Sequence, residues 1–170
     1  MQRKRFNTMS CPIARGLDRV GEWWSMLILR DAFAGMTRFD QFEKSLGIAP
    51  AMLTRRLKAL VENGLLTKQR YASHPPRDEY RLTARGEDFR PVLLALLAWG
   101  NAHFTPEGPQ MQIIDAETGE VANPVLVDAR SGRKLQAPDF KLAPGPAATA
   151  GMRARLAHGG GLLGWPGVGA

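Results

Sequence analysis

From Pro12 to about Phe33 apolar residues recur at helical spacing, at Ile13, Leu17, Val20, Trp24, Leu27 and Ile28. That period predicts two helices with a break near Gly21, the second running Trp23–Phe33 and stopped by Gly35. Phe39, Phe42 and Leu46 fall on one face of a short third helix over residues 38–46. Gly47 then ends it as a residue suited to a left-handed C-cap. A fourth helix opens on Pro50, which fits a first helical turn, and stops at Asn63-Gly64. Its apolar stripe is Leu53, Leu57, Leu60 and Val61. At about 100° per residue Ala51, Arg55 and Lys58 point away from that stripe, with Thr54 at its edge. A helix with a packed back and a small-plus-basic front is suited to lie in a groove.

After Gly64 the period shortens. Residues 65–71 and 79–83 read as two strands joined by the loop Ala72-Ser73-His74-Pro75-Pro76-Arg77. Thr83 suits the N-cap of a long final helix carrying Phe89, Val92, Leu93, Leu96, Leu97 and Trp99. Pro91 lies inside that helix and is expected to kink or divide it. Four helices, a hairpin and a last helix make a mainly α fold with a little β, a winged helix-turn-helix with an extra N-terminal helix.

Beyond Phe104 the pattern changes again. The run Ile113-Ile114-Asp115-Ala116-Glu117-Thr118-Gly119-Glu120 is echoed 13 residues later by Leu126-Val127-Asp128-Ala129-Arg130-Ser131-Gly132-Arg133. Each copy places a small polar residue before Gly, which suits a hairpin turn. Two small hairpins are therefore expected within a C-terminal appendage over 105–142. Residues 143–170 include 8 Gly, 7 Ala and 3 Pro, too little apolar bulk to bury, so a disordered tail is expected, with at most a short helix ending near Leu156. A basic, frayed segment over 1–8 precedes the domain over 9–104.

Charge sharpens this picture. The net charge of the 170-residue chain is +7. Residues 1–104 hold 17 Lys and Arg against 10 Asp and Glu, whereas residues 105–170 hold 6 of each. The whole excess thus lies on the helix-turn-helix part, which points to a polyanionic partner there. Arg38, Arg55, Arg56, Lys58 and Arg77 are candidates to neutralise phosphates, His74 in the wing could contact one, and Arg55 could also reach a guanine edge. Each taken alone reads equally well as a solvated surface residue. An ordinary helical hairpin would show the same spacing; the adjoining hairpin and the localised charge favour DNA.

Other chemistry finds little support. Residues His74, His103 and His158 are scattered, with no carboxylate pair, nucleophile elbow or phosphate loop, so no enzyme and no cofactor are expected. The paired turns have the outline of a zinc ribbon but carry no Cys or His between 105 and 157, so no metal site is expected. No apolar run approaches the ~20 residues of a membrane span. A single cysteine, Cys11, fits a reducing cytoplasm. Cys11 is either a small structural hydrophobe or a sensor thiol, whose thiolate Arg3, Lys4, Arg5 and Arg15 would favour.

The ordered motifs Cys11-Pro12, Gly21-Glu22-Trp23-Trp24, Leu29-Arg30-Asp31, Arg38-Phe39, Leu53-Thr54-Arg55-Arg56-Leu57, Glu62-Asn63-Gly64-Leu65, Pro75-Pro76-Arg77, Glu79-Tyr80-Arg81-Leu82-Thr83 and Trp99-Gly100 resemble the HxlR-type winged helix-turn-helix regulators, relatives of the MarR-type repressors. The resemblance spans residues 9–104. It implies a homodimer joined by the N-terminal and last helices, two recognition helices in successive major grooves, and a wing at Pro75-Pro76-Arg77 beside the flanking DNA. It also implies a repressor, and in some members an oxidant-sensing N-terminal cysteine. Trp23, Phe89, Leu93, Leu96 and Trp99 supply more apolar bulk than a domain of ~100 residues easily buries alone, which accords with a subunit interface. Two rivals stay open: a protein-interaction module working through the neutral appendage, and a regulator whose Trp23, Trp24 and Trp99 wall a small-molecule pocket.

Overall fold

The computed structural model describes Met9 and residues 11–157; the frayed segment expected over 1–8 and the tail beyond 157 lie outside the described residues. Six helices and a hairpin form the domain: α1 Pro12–Val20, α2 Trp23–Phe33, α3 Phe39–Leu46, α4 Pro50–Glu62, β1 Leu66–Ser73, β2 Pro76–Leu82, α5 Ala84–Glu87 and α6 Arg90–Phe104, with α5 a single turn before α6. One more helix, α7 Ala150–Ala157, follows the appendage.

Local chemistry explains most boundaries. Pro12 and Pro50 stand in the first turns of α1 and α4, where a missing N–H costs nothing. Gly47 caps α3 at φ 59°, its N–H donating to the Glu43 carbonyl at 2.9 Å. Arg38 is extended and stands outside α3, so that helix begins one residue later than the periodicity suggests; the Gln41 side-chain oxygen accepts from the Thr37 and Arg38 N–H groups. Thr83 caps α5, its hydroxyl accepting from the Gly86 N–H at 3.1 Å and donating to the Gly64 carbonyl at 2.6 Å. Pro91, in the first turn of α6, divides the last helix in two, as its missing donor requires.

The core is one cluster. Ile28 and Leu29 of α2, Phe42 of α3, Leu53, Leu57 and Leu60 of α4, and Leu66 of β1 are fully buried, closed by Val20, Ile48 and Leu65. Phe89 and Leu93, expected at a subunit interface, are partly buried and pack against this cluster.

The wing also differs from expectation. Both strands run further than the apolar pattern showed, pairing Leu66 with Leu82 through to Ser73 with Pro76, with a bulge between Arg70 and Ala72. The expected six-residue loop shrinks to a turn at His74-Pro75, whose peptide bond is cis. These outer strand residues are mostly exposed on both faces, so no alternation marks them in sequence. A bridge from Arg38 to Glu79, with the Tyr80 N–H donating to the Thr37 carbonyl at 2.7 Å, ties the hairpin to the start of α3.

In the appendage each repeat closes a single-bridge hairpin, Ile114 with Val121 and Val127 with Lys134. The two share one hydrogen-bond plan. Asp115 N–H donates to Glu120 and Gly119 N–H to Asp115, matched by Asp128 to Arg133 and Gly132 to Asp128. Gly119 at φ 73° and Gly132 at φ 68° supply the left-handed residue that each turn needs. Within residues 143–157 the short helix α7 carries Leu156 in its last turn, and Met152 and Arg155 line a cleft with Met9 and Cys11.

Candidate nucleic-acid interface

Helix α4 divides cleanly. Leu53, Leu57 and Leu60 have no exposed surface, while Ala51, Thr54, Arg55 and Lys58 are exposed together on the opposite side. Arg55 donates to the Met52 sulfur at 3.0 Å, and Lys58 faces Glu62 one turn on at 3.8 Å. Both contacts are solvent-exposed and worth little, so either cation is available to another anion.

Arg56 is placed differently from its expected role. Its guanidinium is only 14% exposed and meets the Glu22 carboxylate, 23% exposed, at 2.8 Å. It points to the start of α2 and away from the face that Arg55 presents. The helical period carried the signal: position 56 is three residues from Leu53 and four from Leu60, on the flank of the buried stripe.

The C-terminal end of α4 is held by side chains from two other elements. Arg19 of α1 donates to the Asn63 side-chain oxygen at 3.1 Å, and Arg85 of α5 donates to the Asn63 carbonyl at 3.1 Å.

His74 and Arg77 are exposed at the tip of the wing, and Arg77 has no acidic partner among the described residues. Lower on the hairpin the charges are paired. Lys68 lies 2.8 Å and Arg70 3.4 Å from Asp78, and Arg81 lies 2.8 Å from Glu79. The hydrogen bond from Lys68, then that from Arg70, holds the Asp78 carboxyl below its ordinary range, and Arg81 does the same for Glu79. Lys68 is raised in return by its bond to Asp78. Arg38 lies over the Tyr71 ring, 4.9 Å from its centroid. With Phe39, Pro76, Arg77 and Tyr80 these two residues line a cleft of about 520 Å³ between α3 and the wing. Sequence reading singled out Arg38 and Arg77 but not Tyr71, which it placed at the end of the first strand without assigning it a role.

The residues assigned to an interface divide. Trp23 is 81% exposed, Trp99 54% and Leu96 44%, whereas Phe89 and Leu93 pack on the domain core. Phe104 meets Trp99 edge-on with ring centroids 4.8 Å apart. Cys11 is half-exposed at the N-cap of α1. Arg15, one of the cations expected to favour its thiolate, donates instead to the Met9 carbonyl at 2.6 Å; Arg3, Lys4 and Arg5 lie outside the described residues. Among the described residues no group of His, Cys, Asp or Glu is arranged to hold a metal ion, and no helix is long and apolar enough to cross a membrane.

A helix-turn-helix with a basic exposed second helix and a basic-tipped hairpin is the layout of a DNA-reading winged helix. The HxlR-like helix-turn-helix family model matches residues 19–108. The chain belongs to this family. An uncharacterised HTH-type transcriptional regulator of Mycobacterium tuberculosis, Rv3095, is 40% identical over 146 residues, covering 85% of this chain and 90% of that protein. The solved structure of PA1374, a candidate transcription factor from Pseudomonas aeruginosa, superposes with TM-score 0.62 at 51% identity, covering 86% of this chain and all of that one. The redox regulator HypR in its reduced form is similar with TM-score 0.53 at 29% identity, over 56% of this chain and 95% of its own. The HxlR-family chain is thus a transcriptional regulator with a DNA-binding winged helix-turn-helix, and not an enzyme. Matches over 85% of the chain cannot leave out the appendage, whereas the likeness to HypR is of a size with the winged domain alone.

Proposed function

We propose that this HxlR-family protein is a homodimeric repressor that reads a palindromic operator with α4 in the major groove and the wing beside the flanking backbone. The observation that carries the reading is the division of α4 into a fully buried face and a free face of Ala51, Thr54, Arg55 and Lys58. Small residues let the helix approach the bases, Arg55 has the reach and the two-donor fork for a guanine edge, and Lys58 suits a phosphate. Arg38, His74 and Arg77 add backbone contacts from the wing side. The exposed Trp23, Leu96 and Trp99 support a twofold partner, Leu96 and Trp99 being three positions apart on one face of α6, where large apolar groups are seldom left in water.

The test is binding of the purified protein to the intergenic DNA beside its own gene, at two salt concentrations. Saturable binding that resists competitor DNA and weakens steeply with salt is expected. Arg55→Ala should cost about 1–3 kcal/mol of operator affinity. Full affinity in that variant would remove α4 from the interface.

A thiol response is a second part of the proposal. Its support is the half-exposed Cys11 at a helix N-terminus and the likeness to a protein described as a redox regulator. Oxidation should then weaken operator binding, and Cys11→Ser should be indifferent to oxidant.

A further inference from the structure

We infer that Arg56 and Glu22 act as positioning residues that set the roll of α4, and with it operator selectivity, without contacting DNA. The inference rests on α4 being the recognition helix. Leu53, Leu57 and Leu60 hold α4 by contacts that have no direction, so they oppose its departure from the core more than its rotation. A roll of about 20° at a helix radius of about 5–6 Å would move a surface group by about 2 Å, enough to break a two-donor fit to a base. The Asn63 ties act at the C-terminal end of α4. Arg56 lies near the middle of the helix, where its guanidinium meets the Glu22 carboxylate at 2.8 Å in a largely dry setting. A planar guanidinium–carboxylate contact is directional, and directional contacts resist rotation.

The far end of the tie is equally well held. Glu22 is the N-cap residue of α2, and its carbonyl accepts from the Ser25 N–H at 2.8 Å. The next residue is Trp23, exposed on the face proposed to meet a second subunit. The pair therefore joins the reading helix to the edge of the proposed dimer interface.

Glu22→Gln, Arg56→Gln and the double variant of the full chain would be compared with wild type, first by circular dichroism and then by titration of operator and of unrelated DNA at several salt concentrations. Selective binding by wild type, and its weakening in Arg55→Ala, establish α4 as the reader before the other variants are judged; the absence of either overturns both readings. Glu22→Gln is expected to lose about tenfold in operator affinity while binding unrelated DNA as wild type does, with an unchanged salt slope. The double variant should lose less than the two single losses combined, the sign of a shared contact. Operator binding by Glu22→Gln at or above wild-type strength, with a steeper salt slope, would show that freed Arg56 reaches a phosphate and would overturn the inference. A slope lowered by about one in Arg56→Gln would do the same. If Arg56→Gln does not fold, the Glu22→Gln comparison alone decides.

Discussion

Arg55 and Arg56 are neighbours of identical type, yet one faces solvent and the other closes an ion pair with α2. Composition cannot separate them; about 100° of helical rotation does. Gly86 shows the same dependence on surroundings. It is buried in α5, where an added Cβ would run into the Leu65 carbonyl and lie 3.0 Å from the Leu82 side chain. Gly86→Ala should therefore destabilise the domain by about 1–3 kcal/mol, measured by denaturant titration. An unchanged midpoint would mean that the β1–α5 corner relaxes freely. Nothing in the sequence marks this glycine, since the constraint is a close approach from a residue about twenty positions away.

At the scale of elements, the helices were legible and the hairpins only in part. Trp23–Phe33 and the Pro50 start of α4 follow from period and end signals alone, because those forces are local. The wing strands reach past the apolar pattern because ladder hydrogen bonds and cross-strand ion pairs, not burial, hold their outer halves. The appendage is held in a related way. Its Asp115 carboxylate accepts from the Glu117 and Thr118 N–H groups, and Asp128 accepts from the Ser131 hydroxyl and N–H. These bonds lower both carboxyl pKa values, through the Thr118 N–H first for Asp115 and the Ser131 hydroxyl first for Asp128. A depressed carboxyl stabilises the fold above its unfolded pKa, and the contribution is lost as pH falls through the folded value. Both hairpins should thus loosen only below the ordinary carboxylate range, while the winged domain keeps its core. NMR titration of the two aspartates would show it; ordinary midpoints for both would contradict the turn geometry.

Across the whole molecule, the outstanding feature is apolar surface that one copy leaves uncovered. Trp23 and Trp99 are mostly exposed, and Val92, Leu96 and Phe104 add to the face of α6. If a second copy covers this face, Trp99→Ala should shift the protein towards monomer at micromolar concentration, seen by sedimentation velocity. Operator affinity should fall with it, since two linked half-sites bind far more tightly than one. An unchanged sedimentation coefficient would leave the face to a small effector or another protein, and a ligand-induced change in tryptophan fluorescence would then identify the former.

The sequence by itself determined the order of elements, the position of the helix-turn-helix, the localisation of positive charge and the twice-used turn of the appendage. Each depends on residues within one or two turns of one another, where period, caps and glycine decide the outcome. Tertiary structure decided which side of each element faces what. It turned Arg56 inward to Glu22, folded Phe89 and Leu93 onto the core, left Trp23 and Trp99 outside, and brought Cys11 beside the helix that follows the appendage. Those outcomes depend on contacts between residues far apart in the chain, and amphipathic patterning specifies that a face is apolar without naming what will cover it.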